Sequence, residues 1–176
     1  MEYIMKSGVL TQTGTDGPGR EAARIKGAFG VRKTILTEAE SGVFYTDIRE
    51  EAPSAGPGGP QGRSYVLLDQ KDRVLALARP GYAPGEDPAQ AGWPAYRLPR
   101  VDHAAVRIGP ESYILWMKDS RDYQLARGEE TVLRVLHRGI PGGWDLMACA
   151  PFSPEVLCAL FVFCRYLEQE NEYITV

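Results

Sequence analysis

The feature that most constrains this sequence is a run of apolar residues near its carboxyl end. Val156 to Cys164 contains no polar side chain, and Ser153-Pro154-Glu155 directly before it has the residues of a helix start: a hydroxyl N-cap, a proline at the first helical position and a carboxylate in the first turn. The sequence therefore predicts an α-helix over 153–170. The apolar run is about half of the roughly 20 residues that a bilayer-spanning helix needs, so we expect a core helix and no transmembrane segment.

A helix that is apolar on every side must be enclosed on every side. Packed on one face of an open sheet, this helix would leave about half of its circumference in water, at roughly 1.5–3 kcal/mol for each large side chain left exposed. Several such losses together are comparable with the whole stability of a domain. We therefore predict a mainly β fold: a closed antiparallel β-barrel of about ten to twelve strands around the helix. The alternative enclosure is a dimer interface, and we favour the monomer over the homodimer.

Short segments rich in Val, Ile, Leu and Tyr, separated by turn residues, supply the predicted strands. They are Tyr3–Lys6, Val31–Thr37, Val43–Ile48, Ser64–Asp69, Val74–Arg79, Ala104–Ile108, Tyr113–Lys118, Asp122–Arg127, Thr131–His137 and Gly143–Ala148. The gaps between them are too short, or too rich in Pro and Gly, for the helices of parallel βαβ units. The stretches 52–62 and 80–100 are predicted to be irregular loops of a single domain that spans residues 1–176.

The sequence of one predicted hairpin is similar to that of another. Tyr65–Arg79 and Tyr113–Arg127 align without a gap. The second segment alternates apolar and polar residues, which predicts a strand with one face on the core. Because Leu75 and Leu77 fall in the same register of the first segment, we predict that they face the core in the same way. Either the hairpin was duplicated or two short strands agree by chance.

The composition is that of a globular domain, with 44% hydrophobic and 24% charged residues and a net charge of -3. That charge provides no overall field for a polyanion, so we predict no nucleic-acid partner. The three cysteines, Cys149, Cys158 and Cys164, cannot all pair and lie in the most apolar part of the chain, so we predict buried, reduced thiols. The segment Met1–Lys6 has no pattern of a secretory signal, and we expect a cytoplasmic protein.

The strands Tyr65–Asp69 and Tyr113–Lys118, the strand entry Gly142-Gly143-Trp144-Asp145 and the helix Pro154–Phe161 form a recognisable pattern. Over most of the chain it resembles the Tubby C-terminal-like superfamily, which includes Tubby, the phospholipid scramblases and the LURP-one-related proteins. The resemblance implies a barrel with a nonpolar central helix. Because members of that superfamily bind phosphoinositides or act at membranes, it also implies a non-enzymatic binding or scaffold module, acting peripherally at a membrane surface or with a protein partner. It carries no site residue over to this chain.

One local cluster of basic residues stands out between positions 20 and 33. Arg20, Arg24, Lys26, Arg32 and Lys33 accompany a single acidic residue. They are the candidate site for an anionic lipid or phosphate group, since each cation near a charged membrane surface contributes on the order of 1 kcal/mol. The alternative is that they form the solvated face of an edge strand, where Lys and Arg discourage pairing with other chains.

We find no arrangement of residues that predicts catalysis, a metal site or a cofactor. His103 and His137 lack His or Cys partners at metal-ligand spacing, no Gly-x-Ser-x-Gly occurs, and no Gly-Lys-Ser/Thr follows the glycine-rich Gly14–Gly19. Two other functions stay open. The protein could carry a small ligand, or be an enzyme, through a cavity between helix and barrel wall, or it could be a structural protein that oligomerises through its C-terminal helix.

Overall fold

A computed structural model describes residues 1–14, 19–27, 30–37, 42–50, 62–94, 97–139 and 142–172. In this part of the chain there are twelve strands and one helix. They are β1 (Glu2–Lys6), β2 (Val9–Gln12), β3 (Arg20–Lys26), β4 (Lys33–Thr37), β5 (Val43–Glu50), β6 (Arg63–Leu68), β7 (Val74–Tyr82), β8 (Val101–Ile108), β9 (Glu111–Asp119), β10 (Asp122–Arg127), β11 (Glu130–His137), β12 (Trp144–Ala148) and α1 (Pro154–Gln169).

The strands form a closed antiparallel barrel, as predicted. Each strand pairs with its neighbours in the sequence, and β1 pairs with β12 to complete the ring. The closure continues to the first residue, because the amino group of Met1 donates to the carbonyl oxygen of Ala148 at 2.7 Å. Every strand thus has two partners, which removes the open edges of a sheet. An edge strand, the alternative explanation for the basic cluster, is therefore absent from the described barrel.

The helix α1 passes through the barrel, and the prediction that its apolar side chains are enclosed is confirmed. Leu157 and Phe163, on different sides of the helix, both have 0% of their surface exposed. Ser153 is the N-cap and Pro154 the first helical residue. The Ser153 hydroxyl donates to the carboxylate of Glu155 instead of accepting from a backbone amide. The wall supplies alternate side chains to the same continuous core, such as Leu115 and Leu125.

The direction of α1 distinguishes the two ends of the barrel. The helix begins where Phe152 packs on Tyr113, near the start of β9, with ring centroids 5.9 Å apart. We call this end of the barrel the entry rim. The connections β2–β3, β4–β5, β6–β7, β8–β9 and β10–β11 belong to it. The helix ends where Asn171 meets Val101 at the start of β8. We call this end of the barrel the exit rim. The connections β1–β2, β3–β4, β5–β6, β7–β8, β9–β10 and β11–β12 belong to it.

Strands β2 and β3 were not predicted, although they complete the ring. In β2 only Leu10 is buried, and in β3 only Ala23 is, so neither has the apolar alternation of a typical strand. Elsewhere the bounds differ: β4 begins at Lys33 rather than Val31, and β7 continues through Pro80 to Tyr82.

The prediction that Leu75 and Leu77 face the core is wrong, since Ala76 and Ala78 occupy the buried positions of β7, although Leu75 is partly buried and packs against the core. The β6–β7 connection and a bulge at Leu67 and Leu68 shift the pairing by one residue relative to the β9–β10 hairpin. A shift of one residue turns every side chain of a strand to the opposite face. The two hairpins thus differ in register, which favours chance agreement of their sequences.

The prediction of three buried thiols is correct for Cys158 and Cys164 and wrong for Cys149, which is exposed. Cys149 follows the last residue of β12 and lies on the entry rim, beyond the part of the wall that encloses the helix. Burial raises the pKa of the Cys158 and Cys164 thiols well above the ordinary range. Most of the predicted loop 52–62 and positions 15–18 of the glycine-rich Gly14–Gly19 segment lie outside the described residues.

Candidate functional site

The interior of the barrel is filled by side chains from the helix and the wall. Phe163 packs on Tyr65 with ring centroids 5.9 Å apart, and Phe161 packs edge-to-face on Trp144 at 5.6 Å. Both contacts belong to one core that runs through the barrel. The surfaces on which a ligand or partner can make contact are therefore the outer wall and the two rims.

The five predicted basic residues do not converge on one site. Arg20 and Lys26 are exposed at opposite ends of β3, so that a strand of 7 residues separates them; at about 3.3 Å per residue this is roughly 20 Å. Arg20 lies on the entry rim and Lys26 on the exit rim. A single anion cannot contact both side chains.

The other three basic residues are held by neighbouring groups. Arg24 donates to both carboxylate oxygens of Glu21, at 3.0 and 2.7 Å, and this hydrogen bond lowers the pKa of Glu21. The ammonium group of Lys33 donates to the carbonyl oxygens of Gly27 and Gly30, at 2.7 and 2.8 Å. Lys33 therefore closes the β3–β4 connection and is not directed at a ligand.

Arg32 crosses the outer face of β5. Its guanidinium lies 4.5 Å from the ring centroid of Tyr45, 3.7 Å from a carboxylate oxygen of Asp47 and 3.9 Å from one of Asp72 in the β6–β7 connection. Each contact is partly exposed and weak alone, but together they satisfy the guanidinium within the fold. Of the five predicted residues, Lys26 is the one that lies on the exit rim with neither an ion pair nor a side-chain hydrogen bond to the described residues.

The two residues that follow α1 connect its end to the strands at the exit rim. The Asn171 side chain binds the backbone of Val101 twice: Oδ1 accepts from the amide at 3.0 Å, and Nδ2 donates to the carbonyl oxygen at 2.9 Å. The Glu170 carboxylate accepts from the Tyr65 hydroxyl at 3.0 Å and from Arg63 at 3.3 Å. The helix end is thus joined to both β6 and β8.

The last turn of α1 holds the β3–β4 connection. The Tyr166 hydroxyl donates to the carbonyl oxygen of Val31 and lies 3.2 Å from Oγ1 of Thr46, which can then donate to it. Burial raises the pKa of Tyr166 to about 12, so that the phenol remains protonated and able to donate. With its backbone fixed, the Val31 side chain remains 45% exposed.

The β7–β8 connection is a long loop whose ends are held together by backbone pairing. Its ends meet where the Ala83 amide donates to the carbonyl oxygen of Arg100 at 2.8 Å. Inside it, Glu86 pairs with the Arg97 guanidinium, and Nε1 of Trp93 donates to the carbonyl oxygen of Arg97 at 2.8 Å. Leu98 directly follows Arg97 near the end of this loop and is 52% exposed.

Charge is segregated between the rims. Among the described residues, basic side chains outnumber acidic ones on the exit rim and acidic ones outnumber basic ones on the entry rim. The exit rim has Lys6, Lys26, Arg32, Lys33, Arg49, Arg63, Arg97, Arg100, Lys118, Arg121, Arg138 and Arg165 against Glu50, Glu86, Asp87, Asp102, Asp119, Asp122, Asp145, Glu168, Glu170 and Glu172. The entry rim has Glu2, Glu21, Asp69, Glu111, Glu129, Glu130 and Glu155 against Arg20, Lys71, Arg73, Arg107 and Arg127, and Asp72 of the β6–β7 connection contacts Arg32 of the exit rim instead.

The two histidines have neighbours of different kinds. His137 accepts from the Gly139 amide through Nδ1 at 3.1 Å and packs edge-to-face on Trp144 at 4.8 Å. His103 lies on the outer wall beside Asp102, with 2.7 Å between Nδ1 and Oδ1. Within the described ranges, no three His, Cys, Asp or Glu side chains are arranged so that they could hold a metal ion. The described part of the chain also has no helix that is long and apolar enough to cross a membrane.

Two of the exposed apolar residues, which the sequence analysis does not single out, have a signal in the sequence. Leu98 is an isolated aliphatic residue between basic residues in a Pro-rich segment. In Tyr113-Ile114-Leu115-Trp116, alternation means that only two of four apolar side chains can face the core. Tyr113 and Leu115 do so, and Ile114 is 40% exposed on the outer wall.

Comparison of this chain with models of known protein families, with curated proteins and with solved structures finds no match in any of the three.

Proposed function

We propose that this protein is a non-enzymatic binding module of Tubby-like type that docks peripherally on an anionic membrane surface through its exit rim. The observation that carries the proposal is the segregation of charge: the excess of cations lies at one end of a closed barrel. An anionic surface attracts each nearby cation by about 1 kcal/mol. A net charge of -3 for the whole chain hides this local excess.

Exposed aliphatic side chains accompany the cations. Val31 and Leu98 lie on the exit rim with backbones held by Tyr166 and by the Glu86–Arg97 pair, respectively. An aliphatic side chain that enters the interfacial region removes apolar surface from water and adds to the electrostatic attraction. Because both are held by the fold in advance, little ordering entropy is lost on docking.

The acidic entry rim supports one orientation. An anionic surface would repel Asp69, Glu129 and Glu130. We therefore expect the barrel to bind with the carboxyl-terminal end of α1 facing the lipid. Met1 and Val74 are also exposed apolar residues, but they lie on this acidic rim. The anionic leaflet of a cell membrane is the cytoplasmic one, which agrees with a cytoplasmic location.

Vesicle flotation tests the proposal. The full chain should float with phosphatidylcholine vesicles that contain phosphatidylserine and not with phosphatidylcholine alone, and raising the salt concentration should reverse binding. Lys26→Glu should weaken binding by about tenfold, whereas Arg20→Glu at the other end of β3 should not. Leu98→Glu should weaken binding, and Val74→Glu should not. Absence of flotation with both vesicles, or equal effects of the matched variants, overturns the proposal.

A further inference from the structure

A second candidate surface lies on the outer wall, away from both rims. Ala105 of β8, Ile114 of β9 and Ala126 of β10 are direct cross-strand neighbours. Ile114 is 40% exposed in the middle of a nine-residue strand, flanked by the two small side chains. The alanines leave space on both sides of Ile114, so an apolar side chain of another molecule can pack against it.

An aromatic pair lies beside this aliphatic row. Trp116, two residues after Ile114 and on the same face, pairs with His103 across the strands, and their ring centroids are 5.1 Å apart. The ammonium group of Lys118 lies 5.6 Å from the centroid of the Trp116 ring. Tryptophan is among the residues that are enriched in the side chains that dominate binding energies at protein interfaces.

Contacts with Asp102 and Gly81 fix the orientation of the His103 ring in this pair. Oδ1 of Asp102 lies 2.7 Å from Nδ1 of His103. On its other side, the imidazole ring lies directly over Gly81 of β7: a Cβ at position 81 would lie 2.3 Å from Nε2 of His103. Glycine is therefore required for this placement. Trp116 is thus presented by a rigid strand and a ring that is itself held in place, so binding would cost little rotamer entropy.

Cations border the patch. Arg107, on the outer face of β8 two residues beyond Ala105, and Lys118 are exposed and form no ion pair with the described residues. We infer that the outer-wall patch of Ala105, Ile114, Trp116 and Ala126 docks a partner protein through a segment in which an apolar side chain lies between carboxylates. Charge complementarity selects this occupant. A second copy related by a twofold axis would bring like cations together, and a closed barrel has no strand edge to extend.

A peptide titration followed by NMR of the full chain tests this inference. The probe is an acetylated Glu-Glu-Leu-Leu-Glu-Glu peptide, and the comparison peptide has Lys in place of each Glu. The acidic peptide should shift the Ile114 methyl and Trp116 indole resonances, and the basic peptide should not. Ile114→Glu and Arg107→Glu should each weaken binding by about tenfold. Leu98→Glu on the exit rim should not change it, which separates this inference from membrane docking.

Three outcomes overturn the inference. One is that neither resonance shifts, and another is that both peptides shift them equally. The third is that dilution of the protein alone, or addition of phosphatidylserine vesicles, produces the same shifts, because the occupant would then be a second copy or a lipid surface. The W116F variant assigns the indole resonance.

Discussion

The hydroxyl of Tyr65 donates a 3.0 Å hydrogen bond to Oε1 of Glu170, and this contact joins strand β6 to the end of the central helix. The Glu170 side chain is only 7% exposed, and Arg63 is its other partner, at 3.3 Å. Burial, together with the neighbouring Glu170 carboxylate, raises the pKa of Tyr65 far above its ordinary value. The phenol therefore stays protonated and remains a hydrogen-bond donor to a largely buried charge.

Tyr65→Phe and Tyr123→Phe should differ in their effect on stability. Removing the Tyr65 hydroxyl leaves a buried carboxylate with one partner fewer, and we expect the free energy of unfolding to fall by about 1–3 kcal/mol. The Tyr123 hydroxyl is buried with no hydrogen-bond partner among the described residues. Tyr123→Phe should therefore be neutral or stabilising. Urea denaturation of both variants measures the difference, and equal losses would contradict the assigned contacts.

Stability should decrease at alkaline pH. The pKa of Tyr166 is raised to about 12 by burial, against an ordinary value near 10. Its protonated form is favoured in the folded state, so its contribution is complete below about pH 10 and is lost as pH rises toward 12. Urea denaturation between pH 8 and 11 should show this decrease, and Tyr166→Phe should make it shallower. A wild-type free energy of unfolding that stays constant up to pH 11 would rule this out.

One of the three thiols should react in the folded protein. Cys149 is exposed, whereas Cys158 and Cys164 are buried in α1 and their pKa values are raised by burial. Only a thiolate attacks a disulfide reagent. A chromogenic disulfide should therefore label Cys149 rapidly and the other two only after unfolding. Cys149→Ser should abolish the rapid phase, and its survival in that variant would contradict the burial of the helix thiols.

Gly81→Ala should destabilise the outer wall because the new Cβ would lie 2.3 Å from Nε2 of His103. Overpacking of this kind costs about 1–3 kcal/mol. The cost should largely disappear in the double variant Gly81→Ala/His103→Ala, since the clashing ring is then absent. Thermal unfolding of the two single variants and the double variant gives the coupling energy. Additive effects would show that His103 does not lie over Gly81.

The central helix and the closed barrel could be predicted from the sequence because both follow from one short segment. Nine apolar residues after Ser153-Pro154-Glu155 allow few alternatives, since Leu157 and Phe163 cannot both face water at a tolerable cost. Strand β3 could not be predicted in the same way. Its inward residue is Ala23, and its place in the wall depends on pairing with β2 and β4 and not on its own pattern.

The contacts of the predicted basic residues also depend on parts of the chain that are distant in the sequence. Arg32 is satisfied by Asp47 and Asp72, which lie 15 and 40 positions further along the sequence, and Lys33 by two carbonyl oxygens of its own loop. Sequence proximity therefore grouped side chains that the fold separates. The rims could not be identified from the sequence either, because their charge is assembled from connections throughout the chain.

The most direct test of the central claim, that the barrel encloses an apolar helix on all sides, is native-state hydrogen exchange of the full chain. In a sample shown to be monomeric by light scattering, the α1 amides from Leu157 to Leu167 should exchange only through global unfolding, with the same free energy as the slowest amides of β9 and β10. Exchange of these helix amides at a much lower free energy, while the barrel strands stay protected, would contradict the claim.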